Sequence, residues 1–214
     1  MQITWYGHSC FLIKTSVGKR ILMDPFDNSL GYDNNFPKCD LITSSHSSFD
    51  SSYINDINST TKVINEAGNF DMDFLRIEGL NSFHDKFNGL RRGPNIIYIF
   101  KDNKYSLCHL GGLGHIPSLF TLERLKNIDI LFVPIGGHFT LNGSEAAKLC
   151  KIILPKYIIP MHYKTNNTSL NLDDPKDFII SVRSVKKLDS NVLDISKLDL
   201  NSEYNCILLT PPYN

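Results

Sequence analysis

Seven histidines stand at His8, His46, His84, His109, His115, His138 and His162, several beside glycines or at the ends of apolar runs. Strand ends and short loops are where ligand-binding and catalytic groups tend to collect. A zinc site needs three or four nitrogen, oxygen or sulfur ligands at roughly 2.0–2.3 Å. No two of these histidines have the tight spacing that nominates such a site unaided, and each taken singly is read as well as a hydrogen-bonded structural residue. The segment His46-Ser47-Ser48-Phe49-Asp50-Ser51 adds a carboxylate and hydroxyls. His46 and Asp50 have the types of an acid–base pair, because imidazole titrates near neutral pH. Ser48 or Ser51 as a nucleophile would need His46 or His84 within hydrogen-bond reach, and no oxyanion-stabilising group is identifiable beside them. Arg91-Arg92, in a glycine-bounded loop, suits an anionic substrate, since guanidinium pairs well with phosphate or carboxylate. A solvated charge pair is the competing reading, and Lys164 near His162 carries the same two readings.

The elements that must position these groups are mostly strands. Ile3–Tyr6, Cys10–Lys14 and Lys19–Met23 form a meander closed by Asp24-Pro25. Leu41–Ser44 leads into the His46 loop, Tyr53–Asn58 starts a short helix, Lys62–Ile64 is a strand, and a strand-rich section runs from Leu75 towards His84. Ile96–Phe100 and Tyr105–Leu110 are strands joined through a hairpin connection. Ser118–Lys126 is a helix with Leu119, Leu122 and Leu125 on one face. Ile130–Pro134, continuously apolar, is a central strand. Asn142–Ile153 is the second helix, with Asn142 or Ser144 as its cap. Tyr157–Pro160 is a strand, residues 164–177 are a polar loop that the sequence marks as mobile, and Ser181–Lys186, Asn191–Asp194 and Cys206–Leu209 complete the second half. The pattern suggests two sheets face to face with helices outside. By periodicity alone a doubly wound α/β sheet fits nearly as well.

The chain has 214 residues, 42% of them hydrophobic. At this length about 70% of the unfolded surface can be buried, enough for one large domain spanning 1–214. Lys and Arg total 22, and Asp and Glu total 22. With no long basic block, nucleic acid is not the default partner. The first residues lack a basic segment followed by an apolar one, and no run approaches the ~18 apolar residues of a membrane span. Cys10, Cys39, Cys108, Cys150 and Cys206 are an odd, irregularly spaced set, which fits reduced thiols and a cytoplasmic location.

Several segments together resemble a known family. They are Ile3-Thr4-Trp5-Tyr6-Gly7-His8-Ser9, Ile21-Leu22-Met23-Asp24-Pro25-Phe26, His84-Asp85 through Gly93-Pro94-Asn95, His109-Leu110-Gly111-Gly112-Leu113-Gly114-His115, Pro134-Ile135-Gly136-Gly137-His138 and Pro160-Met161-His162-Tyr163-Lys164-Thr165. In this order they resemble the metallo-β-lactamase fold superfamily, and in particular small bacterial metal-dependent hydrolases distantly related to the ascorbate-6-phosphate lactonase group. The resemblance implies an α+β fold, a four-layer αββα sandwich of two mixed sheets with helices outside. It also implies a dinuclear metal centre. One ion would take the positions of His46, Ser48 and His84, and the other those of Asp50, Ser51 and His162. A bridging carboxylate would sit at Gly112. Serine is a weak ligand and glycine has no side chain, so each ion lacks one outer ligand and both lack the bridge. Asp24 is implied to orient a ligand from behind the site, and His8, Asp24, Arg91 and His109 are expected to line or support the cleft.

The resulting expectation is a hydrolase-like protein with a degenerate metal site, weakly active or non-catalytic as a pseudoenzyme. It holds no tightly bound cofactor, or at most one divalent ion such as zinc on His46, Asp50, His84 and His162. Its cleft binds a small anionic or polar ligand. The alternative is a hydrolase in which one ion activates water against an ester, lactone or phosphoester. No nucleic acid or membrane partner is expected, and self-association is left open.

Overall fold

The computed structural model describes residues 1–46, 61–182, 184–199 and 205–212. In chain order the elements are β1 (Gln2–Gly7), β2 (Cys10–Lys14), β3 (Arg20–Met23), β4 (Leu41–Thr43), β5 (Lys62–Ile64), β6 (Gly68–Met72), β7 (Leu75–Phe83), β8 (Pro94–Lys101), β9 (Ser106–His109), α1 (Leu119–Arg124), β10 (Ile130–Pro134), α2 (Gly143–Ile153), β11 (Tyr157–Met161), α3 (Lys176–Ser181), β12 (Val185–Lys187), β13 (Val192–Asp194) and β14 (Asn205–Leu208). Six strands form one sheet in the order β13-β1-β2-β3-β4-β5, and eight form the other in the order β12-β14-β11-β10-β9-β8-β7-β6. Both sheets are mixed. In the larger one β6 to β9 run antiparallel, and β9, β10, β11, β14 and β12 are parallel. Parallel neighbours require crossover connections, and α1 and α2 lie in the crossovers β9–β10 and β10–β11. This is the metallo-β-lactamase sandwich plan, with the helices outside.

The two sheets meet over one core. Ile3, Trp5, Phe11 and Ile13 from the smaller sheet pack with Tyr98, Phe100, Leu107 and Phe132 from the larger, and the Phe11 and Phe132 rings lie 4.5 Å apart. Burying each such side chain contributes about 1.5–3 kcal/mol. β1 alternates buried residues with exposed or half-buried ones, whereas β2 is buried at four successive positions. The reason is a second cluster on the outer face, where Leu12, Leu22 and Ile42 pack under Phe26, Leu30 and Tyr32. Among the described residues, the segment between β3 and β4 therefore covers the smaller sheet's outer face.

Two elements depart from the sequence expectations. β6, a Gly-Asn-Phe-Asp-Met hairpin partner of β7, is an edge strand with polar alternation and no apolar run to announce it. The expected Ser181–Lys186 strand is instead the end of α3 followed by β12. α3 has no side-chain cap and buries only Phe178, so its sequence signal is slight. The 164–177 segment, expected to be mobile, is tied down over residues 164–173. The Tyr32 hydroxyl bonds Thr165 Oγ1 at 2.5 Å, Lys164 Nζ donates to the carbonyls of Thr168 and Leu170, and Asp173 N donates to Gly136 O. The Tyr53–Asn58 helix lies outside the described residues. No helix among the described residues is long and apolar enough to cross a membrane.

Candidate functional site

The cleft forms where five connections meet at one end of the sandwich. The turn β1–β2 supplies His8, the end of β4 supplies His46, and the end of β7 supplies His84. The loop after β10 supplies His138, and the end of β11 supplies His162. The cavity measures about 420 Å³, and Arg92 also lines it. The His8 and His162 ring centroids are 4.2 Å apart, and those of His46 and His84 are 4.4 Å apart. His8 O accepts from His162 N at 3.1 Å and from Trp5 Nε1 at 3.1 Å, locking two of the turns together. His8, His138 and His162 have φ of 49°, 57° and 53°, and Asp24 behind them has 45°. Non-glycine residues rarely adopt this left-handed region, and such strain concentrates at functional sites.

His46 is oriented by a relay. Asp24 accepts from Ser45 N at 2.7 Å and from Ser45 Oγ at 2.6 Å, and Ser45 Oγ lies 2.7 Å from His46 Nδ1. A carboxylate only accepts, so the serine proton points to Asp24 and the imidazole Nδ1–H donates to the serine. That leaves His46 Nε2 as the ring nitrogen available to a ligand. Asp24 therefore acts through Ser45 and does not line the cleft. His109 is also outside the cleft lining. It is buried, with Nε2 at 2.9 Å from Ser9 O and Nδ1 accepting from Gly111 N at 3.2 Å. With Nδ1 accepting, the 3.8 Å approach to Asp24 is not an ion pair.

The arginine assignment changes. Arg91 stacks over Phe87 at 3.9 Å outside the cleft, whereas Arg92 lines it and stacks over Phe139 at 3.5 Å. The loop carrying both is wound around Asp85, which accepts from the backbone N–H groups of Phe87, Gly89, Arg91 and Arg92 at 2.7–3.0 Å. Burial opposes the Asp85 charge, yet these donors, Arg92 first, outweigh it and lower the carboxyl to about 2. Lys164 spends its ammonium on the carbonyls of its own loop, and His115 bonds Phe83 N and Ile116 O.

Three of the cleft imidazoles, His8, His84 and His162, are uncharged at neutral pH. Burial, then neighbouring His46, lowers His8 to about 3 and His84 to about 4, and burial followed by His8 lowers His162 well below the ordinary value. The Nδ1 atoms of His8, His84 and His162 are buried without a hydrogen-bond partner among the described residues.

Among the described residues, the donor set does not fit a two-metal centre. Gly112 offers no bridge, and a Cβ there would stand 2.7 Å from His84 Nε2, so the His84 ring fills the space beside it. Gly112 is held by Asn95, whose Oδ1 accepts from Gly112 N at 2.8 Å. Ser48, Asp50 and Ser51 lie outside the described residues. Among the described residues, no group of three or more His, Cys, Asp or Glu is arranged to hold a metal ion. Ser45 and Asp85 were not nominated as site residues from the sequence, whereas His138 was named only among the seven histidines and Arg92 only together with Arg91. Asn95 had a signal in hindsight, as a polar residue entering the apolar run of β8.

A model of the β-lactamase superfamily domain matches residues 2–162. The chain belongs to this superfamily. A UPF0173 protein of Pyrococcus abyssi is 31% identical over 182 residues, covering 77% of this chain and 84% of its own. A UPF0173 metal-dependent hydrolase of Methanosarcina barkeri is 25% identical over 230 residues, covering 90% and 94%. The crystal structure of a Thermotoga maritima protein, described as a zinc-dependent hydrolase of the metallo-β-lactamase superfamily, superposes with a TM-score of 0.78 at 30% identity over 98% of both chains. Within this hydrolase-like family, the chain lacks a complete metal-binding cluster among its described residues.

Proposed function

We propose that the cleft binds a small molecule carrying an oxyanion, and that paired-metal hydrolysis is not its chemistry. The observation that carries this reading is the set of buried Nδ1 atoms on His8, His84 and His162 that have no partner among the described residues, in a cleft that also presents Arg92. Buried polar atoms are almost always hydrogen-bonded, so a ligand that bonds them explains their arrangement. A neutral imidazole offers one donor and one acceptor, and Arg92 supplies the fixed positive charge. Guanidinium matches carboxylate or phosphate with two parallel hydrogen bonds. The hydrolase names of the relatives support the inherited cleft, while Gly112, Ser48 and Ser51 argue against the inherited reaction.

Calorimetric titration of chelator-treated protein with phosphate and acetate tests this. Saturable binding at one site is expected, and Arg92→Gln should weaken it roughly tenfold or more, the value of a charge-assisted hydrogen bond. Tight uptake of zinc with metal-dependent esterase activity, or anion binding indifferent to Arg92→Gln, would overturn the reading in favour of the one-ion hydrolase or of no ligand site.

A further inference from the structure

The cleft has two unlike walls. Besides the imidazoles and Arg92, the lining includes the apolar side chains Leu30, Leu170, Leu172 and Phe139, with Ser29 and Asn171 among them. Leu30 ends the 3₁₀ turn Asn28–Leu30 and, with Leu170, belongs to the outer apolar cluster. Ser169 fastens their two segments together, its N–H donating to Leu30 O at 3.2 Å and its hydroxyl to Ser29 O at 2.8 Å. The wall is therefore built before any ligand arrives, which spares the ordering cost of binding. Leu172 is half-buried and Phe139 is exposed, so both present apolar surface to the cavity. Arg92 stands at the junction of the two walls, its guanidinium 3.5 Å above the Phe139 ring.

We infer that the ligand is an amphiphilic anion: a carboxylate or phosphate head held between Arg92 and the imidazoles, carrying an apolar chain or ring that lies on Leu30, Leu170 and Leu172. This rests on the oxyanion reading above and names the class of molecule. A wholly hydrophilic anion would leave the leucine wall wet. A neutral apolar molecule would leave the guanidinium and the buried ring nitrogens without partners. The cavity's ~420 Å³ lies within the range of small-molecule sites, which combine a mainly apolar lining with a few placed polar groups.

The test is a chain-length series. Acetate, hexanoate and octanoate are titrated into chelator-treated protein at constant ionic strength, with octanol as the uncharged control. Each methylene laid on the wall should tighten binding about two- to fourfold, so octanoate should exceed acetate at least about fiftyfold, and octanol should bind far more weakly than octanoate. Leu172→Ser should flatten the series, weakening octanoate far more than acetate. Arg92→Gln should weaken all three acids alike. Circular dichroism confirms that both variants fold. A flat series with acetate binding intact overturns the amphiphile inference and leaves the oxyanion site standing. Failure of every acid, or octanol binding as tightly as octanoate, overturns the oxyanion reading itself.

Discussion

At the scale of single residues, protonation links the cleft to stability. His8 and His84 titrate at about 3 and about 4 in the folded chain, below the ordinary 6.5, because burial disfavours the imidazolium. Between those values and 6.5 the unfolded chain binds more protons than the folded one. Stability is therefore complete above about pH 6.5 and falls as the pH drops through 6 and 5 towards 4, each histidine contributing a slope of up to about 1.4 kcal/mol per pH unit. Urea unfolding followed across pH 4–8 should show this decline, and His84→Gln should reduce its slope. An unchanged profile in the variant would mean that another group dominates. The Asp24–Ser45–His46 relay makes a separate prediction. Ser45→Ala removes a donor from a part-buried carboxylate and the acceptor of His46 Nδ1, and should cost about 1–3 kcal/mol, measurable as a lower denaturation midpoint at constant m-value. A residue merely close to Asp24 would leave stability nearly unchanged.

At the scale of elements, α2 is well begun and poorly ended. Its N-terminus carries a reciprocal capping box between Asn142 and Glu145, which selects Asn142 from the two caps, Asn142 and Ser144, that the sequence offered. At its C-terminus Leu154 sits at φ 54°, ψ 53°, 66% exposed. Glycine reaches that conformation freely, so Leu154→Gly should stabilise the protein by about 1 kcal/mol, and a fall in melting temperature would contradict the assignment. Which elements were legible from sequence follows the same physics. β10 and β11 declare themselves by unbroken apolar runs because both faces are covered, and α2 by its cap and its periodic Ala147, Cys150 and Ile153. β6 and α3 carry little buried surface and so leave little pattern. The histidines illustrate the limit for sites. His46, His84 and His162 were named from family-like segments, but nothing in the local sequence says that Arg92 rather than Arg91 turns inward. That choice is made by the Asp85 nest, which depends on the fold of the whole loop.

At the scale of the whole molecule, the sandwich brings together residues more than a hundred positions apart, and the ordered segments from Ile3 to Thr165 made that plan readable before any geometry. Long-range placement also decides what is chemically permitted. If the fold still presents the inherited positions, then the triple change Ser48→His, Ser51→His and Gly112→Asp supplies the imidazoles and carboxylate that a paired centre lacks. The folded variant should take up two zinc ions per chain, counted by elemental analysis after dialysis, where the parent takes at most one. A triple variant that folds and binds no more zinc than its parent would show that the ligand positions have moved.

The contact between His84 and Gly112 has a bearing on mutational history. Because the imidazole stands against the glycine, introducing aspartate there first meets a steric barrier, an overpacking that typically costs about 1–3 kcal/mol, until His84 swings aside. If Ser48→His and Ser51→His come first and a bound ion turns the His84 ring away from position 112, that barrier falls. On the proposed reading, a route to a paired metal centre is thus order-dependent, and the small residue at position 112 works as a ratchet: simple to enter, and hard to leave by a single step.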